Sequence, residues 1–200
     1  MVQCFLIHTT GPVSTLAPGE CRVLYSRVFG PEESALTAED GDTDAEQRRL
    51  LQKEKLSVVA RQVSSAVTLS REASGRVLVE AVLGEELVAL QEADSGVLRL
   101  GRGEPWAGER SALWLAVQSL AFTLVTEPHE NLLLAEGTLK NITRHCLENL
   151  RILGSGCEVL LKSDRIDFLL HRLVPQGQLL FANHRFTQCL EKDVANYMAK

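Results

Sequence analysis

From Leu113 to Val125 nearly every position is apolar. Leu113, Leu115 and Val117 alternate with Trp114 and Ala116, and Leu120, Phe122 and Leu124 alternate with Ala121, Thr123 and Val125. A strand period that is hydrophobic on both faces belongs to central strands covered by helices on both sides. Gln118-Ser119 reads as the tight turn between two antiparallel neighbours; because it lacks glycine, a wider turn is the alternative. The same two polar residues interrupt the run well short of the ~20 apolar residues that a bilayer requires. It is not a membrane anchor.

The rest of the chain divides by its periods. Val2–His8 and Cys21–Phe29 are rich in β-branched and aromatic residues, with Gly11, Pro12, Pro18 and Gly19 between them, and predict a hairpin. Residues 30–42 (GPEESALTAEDGD) are acidic and small without a period and read as a solvated loop. Thr43, three residues before Glu46, has capping-box spacing and predicts a helix start. Leu56, Val59, Val63, Ala66 and Val67 then share one helical face, while Arg48, Arg49, Lys53, Lys55 and Arg61 fall mostly elsewhere. Residues 72–108 hold no single period and read as an extended insertion with one strand near Val97–Leu100.

Past Pro128 the spacing becomes helical. Leu139, Ile142, Cys146, Leu150 and Leu153 predict a long amphipathic helix stopped by Gly154 and Gly156. Val159, Ile166, Leu169, Leu170 and Leu173 predict a second helix, ending at Pro175-Gln176-Gly177. Phe186, Leu190, Val194 and Tyr197 predict a third, with Asn183 as its cap. Two strands, a helix, three strands and then helices make an α+β fold, expected as a single domain over residues 1–200.

Composition narrows the function. The 200 residues carry a formal net charge of −5 with no cluster of lysine or arginine, so there is no electrostatic footprint for nucleic acid or anionic lipid. Five scattered cysteines without a CxxC spacing suit reduced thiols in a cytosolic compartment. The start MVQCFLIHTT lacks the basic n-region of a secretory signal.

Catalytic patterns fail one by one. His129-Glu130 would begin HExxH, but position 133 is leucine, so the zinc motif is incomplete. His145 and Cys146 are adjacent on a helix and point in different directions, and Cys146 falls on the apolar stripe; it reads, like Cys4, as a small buried hydrophobe. Gly101-Arg102-Gly103 and Gly154-Ser155-Gly156 lack the context of a phosphate cradle and read as turns. Asp164 and Asp167, three apart, could hold a cation, but an ion-paired solvated face accounts for them. No catalytic residue, metal ligand or cofactor site is expected, and an enzyme is disfavoured.

Longer strings carry a resemblance. MVQCFLIHT, CRVLYSRVFG, ARQVSS, HENLLLAEGTL, DRIDFLLHRLVPQGQLLFANHRF and CLEK, in this order of elements, resemble the small (sigma) subunits of clathrin-type adaptor complexes, above all the sigma chains of adaptor protein complex 5. The resemblance implies a longin-like fold, a five-stranded antiparallel sheet sandwiched between helices, in which loop 30–42 and insertion 72–108 exceed those of other sigma chains. It further implies a non-catalytic subunit of a heterotetramer in late endosomal and lysosomal traffic, packed against a large zeta-type subunit, with beta and mu subunits completing the complex. The chain would then be cytoplasmic and touch membranes only indirectly.

In other adaptor complexes a small apolar cleft on sigma binds acidic dileucine signals. Leu120 and Val159 match part of that pattern, whereas Thr143 and Ser155 stand near where it has an apolar residue and an asparagine. Leu132, Leu133 and Leu134 exceed what one core-facing stripe holds, so Leu132 and Leu133 are candidates for a partner surface. The competing reading is a longin-like regulator of a small GTPase; the longin-headed SNARE alternative lacks the required heptads and terminal span.

Overall fold

The computed structural model describes residues 1–11, 21–29, 42–75, 86–101, 108–153, 157–181 and 183–198. Its strands are β1 (Val2–Thr9), β2 (Val23–Val28), β3 (Asp94–Leu100), β4 (Arg110–Val117) and β5 (Leu120–Thr126). Its α-helices are α1 (Asp42–Ser74), α2 (Glu86–Gln91), α3 (Leu132–Leu150), α4 (Cys157–Leu161), α5 (Ser163–Leu173) and α6 (His184–Met198), with a 3₁₀ turn at Pro175–Gly177. The strands form one sheet in the order β2-β1-β5-β4-β3, every neighbouring pair antiparallel. This is the expected α+β, longin-like architecture.

The doubly apolar run is the middle of the sandwich. On one face Phe5, Ile7, Leu113, Leu115, Phe122 and Leu124 form a core with Leu139, Ile142 and Cys146 of α3 and with Ile166 and Leu169 of α5. On the other, Cys4, Leu6, Trp114, Ala116 and Val125 meet Leu56, Val59, Val63 and Val67 of α1. A register shift between Val2 and Cys4 turns Val2 to the α3 face, where alternation alone would place it with Cys4 and Leu6.

The turn between β4 and β5 is the two-residue one. Gln118 takes φ 55 without being glycine, and its carbonyl accepts from Arg71 Nη2 at 2.6 Å and Thr10 Oγ1 at 3.3 Å. Arg71 also pairs with Asp94 at 3.1 Å, so the end of α1 ties the turn to the start of β3. Those bonds offset the conformational cost that made the turn unfavourable from sequence.

Four expectations are corrected. The first helix begins at Asp42, which puts Thr43 inside its first turn and not at the capping position. The insertion contains a short helix, α2, whose six residues are too few to show a period. α3 ends at Leu150, ahead of the glycines, because Arg151 adopts a left-handed conformation (φ 48) and donates its N–H to Leu147 O at 3.1 Å, letting Ile152 turn back into the core. The second predicted helix is likewise split into α4 and α5 at Lys162, whose ammonium donates to Leu150 O at 2.6 Å and pairs with Glu158. One charge thereby satisfies an open carbonyl at the end of α3. Asn183 does cap α6, accepting from Phe186 N at 2.8 Å. The loop read at 30–42 and the turns at Arg102-Gly103 and Gly154-Ser155-Gly156 lie outside the described residues, apart from Asp42.

Candidate interaction surface

The start of α3 is set by polar residues and displays apolar ones. Asn131 is the cap, its side-chain oxygen accepting from Leu134 N at 3.1 Å. Just before it, Glu127 and Glu130 both hold the terminal ammonium of Met1, which fixes the approach from β5. With that entry fixed, Ala135 and Leu139 face the sheet and are buried. Leu132 therefore lies on the flank, 40% exposed, and Leu133 points away, 82% exposed. Burying such a side chain against a partner is worth about 1.5–3 kcal/mol, so solvent exposure here is a cost that an interface would remove.

The four sequence-predicted surface residues fall into two groups. Leu132 and Leu133 stand on the exterior at the end of the sheet where β5 finishes. Leu120 starts β5 at the opposite end, and it and Val159 of α4 are buried in the α3-side core. Thr143 is buried too, its hydroxyl donating to Leu139 O at 2.9 Å within α3. Leu120 and Val159 thus serve as packing in this conformation. Sequence reasoning passed over other exposed apolar side chains: Leu160 and Leu161 on α4, 51% and 79% exposed, and Phe181, 87% exposed beyond the 3₁₀ turn. A leucine pair with no place on the Ile166-Leu169-Leu173 stripe was the available signal.

The groups with chemical potential are occupied elsewhere. Asp167 accepts from the Tyr25 hydroxyl at 2.5 Å and from Arg27 Nη1 at 2.9 Å, so it joins α5 to β2, and Asp164 is exposed apart from it. Burial, and then the neighbouring Asp167 carboxylate, pushes the Tyr25 hydroxyl above its ordinary range. Cys4 and Cys146 are buried free thiols, each pushed up to about 12 by burial, which leaves almost no thiolate at neutral pH. His145 is lowered by burial and then by Arg144, and its Nε2 has no hydrogen-bond partner, so it cannot activate the adjacent sulfur through a relay. His129 is exposed. Among the described residues no group of three or more His, Cys, Asp or Glu side chains could hold a metal, and no helix is long and apolar enough to cross a membrane.

Among the described residues the exposed leucines of α3 and α4 and Phe181 offer apolar contact area. The family model described as AP-5 complex subunit sigma-1 matches residues 1–195. The chain belongs to the AP-5 complex subunit sigma-1 family. Within that family, the human AP-5 complex subunit sigma-1 is 47% identical over 195 residues, covering 96% of this chain and 96% of the human protein. The mouse AP-5 complex subunit sigma-1 is 43% identical over 155 residues, covering 76% of this chain and 90% of the mouse protein. The AP-5 sigma-1 match thus includes every strand of the sheet and both helical layers.

Proposed function

We propose that this chain is the non-catalytic sigma subunit of a heterotetrameric AP-5 adaptor complex, packed against a zeta-type large subunit with beta and mu subunits alongside, and acting in late endosomal and lysosomal transport. The observation that carries the reading is the match to AP-5 sigma-1 along residues 1–195. The surface is consistent with it. Leu133, Leu161 and Phe181 are each at least 79% exposed, more large apolar exposure than folding alone needs. The complex supplies the membrane attachment in this reading, so the chain itself acts from the cytoplasm.

Co-expression tests it. The chain made alone is expected to self-associate as its concentration rises, and the zeta subunit is expected to bring it into a stoichiometric complex. Leu133→Asp should weaken that co-purification without altering the circular dichroism of the chain. A monodisperse chain that never associates with zeta would overturn the proposal.

A further inference from the structure

β3 closes one side of the sheet, and among the described residues no strand pairs with its outer edge. It runs beside β4 in unbroken register from Asp94↔Ala116 to Leu100↔Arg110. Natural edge strands are usually blunted by a bulge, a proline, a lysine or a very short length. Over its seven residues β3 has no bulge, proline or lysine, and its two charges are Asp94, paired with Arg71, and Arg99. Instead Ser95, Val97 and Arg99 alternate outward on the α3 side and are exposed, Val97 by 52%. Gly96 lies against the Trp114 indole, where a Cβ would come within 2.5 Å of Cζ2. At position 96 no side chain projects on the α1 side, and beyond it Leu98 packs partly against the α1-side core.

A cavity of about 100 Å³ lies beside this edge, bounded by Val97, Leu113, Leu115 and Leu139. The ion pair of Glu136 and Lys140, 2.7 Å apart, stands next to it. The space is open to a branched aliphatic side chain entering from the edge. Two residues along the same face, Arg99 is exposed and meets no carboxylate among the described residues.

We propose that the outer edge of β3 accepts an extended peptide segment as a sixth strand, with an aliphatic side chain opposite Val97 and an acidic one two positions away opposite Arg99. The spacing comes from the strand period: residues i and i+2 share a face, and directly opposed side chains on paired strands interact. Main-chain hydrogen bonds supply much of the affinity in such strand addition, and the pocket and the guanidinium supply the selection. A single segment fits better than a second folded copy, because a stable interface between domains engages ~20–30 residues a side and this edge offers seven. The site shares no residue with the exposed leucines of α3, and it stands whether or not they contact a large subunit.

The test uses the full chain and a fluorescein-labelled nonapeptide with leucine at its centre, glutamate two positions further along and threonine elsewhere. Fluorescence anisotropy should show saturable binding. Val97→Lys and Arg99→Glu, both at exposed positions, should each weaken it by about tenfold or more, with melting temperatures unchanged. A second peptide with lysine in place of glutamate should prefer the Arg99→Glu chain to the unaltered one. No saturable binding, binding indifferent to both substitutions, or a dimer of the unaltered chain that Val97→Lys dissolves would each overturn the proposal, the last by showing that a second copy takes the edge.

Discussion

His8 and Thr123 meet inside the sandwich, His8 Nε2 lying 3.1 Å from Thr123 Oγ1 on neighbouring strands. The other ring nitrogen, Nδ1, lies 3.1 Å from Thr9 O, which can only accept. Nδ1 therefore carries the proton and Nε2 accepts from the threonine hydroxyl, a neutral imidazole with both nitrogens satisfied. Burial lowers its pKa from 6.5 to about 4, slightly offset by the Thr9 bond. Above pH 6.5 the group is neutral folded or unfolded and costs nothing. Between pH 6.5 and 4 only the unfolded chain takes up the proton, so stability falls as pH falls. The difference corresponds to about 3 kcal/mol. Urea denaturation at pH 7 and pH 4 should show His8→Leu losing less stability on acidification than the unaltered chain, by roughly that amount, despite a pH-independent cost for leaving Thr123 unpaired.

Two glycines should respond oppositely to alanine. At Gly177 the backbone is left-handed (φ 79), and a Cβ would lie 2.6 Å from Val2 O and 2.8 Å from Phe29 Cβ. Gly177→Ala is expected to destabilise by about 2–4 kcal/mol, since neither the backbone nor the β1 carbonyl can yield cheaply. At Gly137, on the exposed side of α3, a Cβ meets nothing within 4 Å. Gly137→Ala should stabilise by about 1 kcal/mol. Thermal melts of the two variants should move in opposite directions.

The joint between β2 and α5 is testable by a double-mutant cycle. Tyr25→Phe removes the hydroxyl donor and Asp167→Asn removes the charge of the acceptor, and the side chain of Asp167 is 49% exposed, so water competes for it. A coupling of about 1 kcal/mol is expected, below the usual range for hydrogen bonds to buried charges. Additive effects of the two substitutions would show that the bond contributes nothing.

Thiol chemistry should follow exposure. Iodoacetamide at neutral pH should modify Cys189, which is exposed, while Cys4 and Cys146 stay protected until the chain unfolds. Mass spectrometry of partially labelled protein reads this directly. Early labelling of Cys4 would mean that the α1 layer opens in the native state.

What was legible in the sequence is what repeats. The run over β4 and β5 announced a sheet covered on both faces because both of its alternating sets are apolar, and Leu56, Val59, Val63 and Val67 announced the α1 stripe by recurring at helical intervals. Features that depend on one residue or on distant pairs stayed hidden. Arg151 ends α3 in a left-handed conformation that glycine would have advertised and arginine does not. The break at Lys162 follows from a lysine reaching the end of α3, twelve residues back, and Tyr25 finds Asp167 across 142 residues. On the surface, Leu132 and Leu133 could be singled out as surplus to one stripe. Nothing in the alternation of Leu120 with its neighbours distinguishes a core position from a cleft.

The position of β1 between β2 and β5 sets an order of events during synthesis. The ribosome releases β1 and β2 early, and they can close their hairpin at once. The other side of β1 has to wait for Leu120–Thr126, by which time most of the polypeptide has emerged. Until then a nascent ribbon of Phe5, Leu6 and Ile7 stands open to any passing strand, so this chain should draw on chaperones while it is being translated.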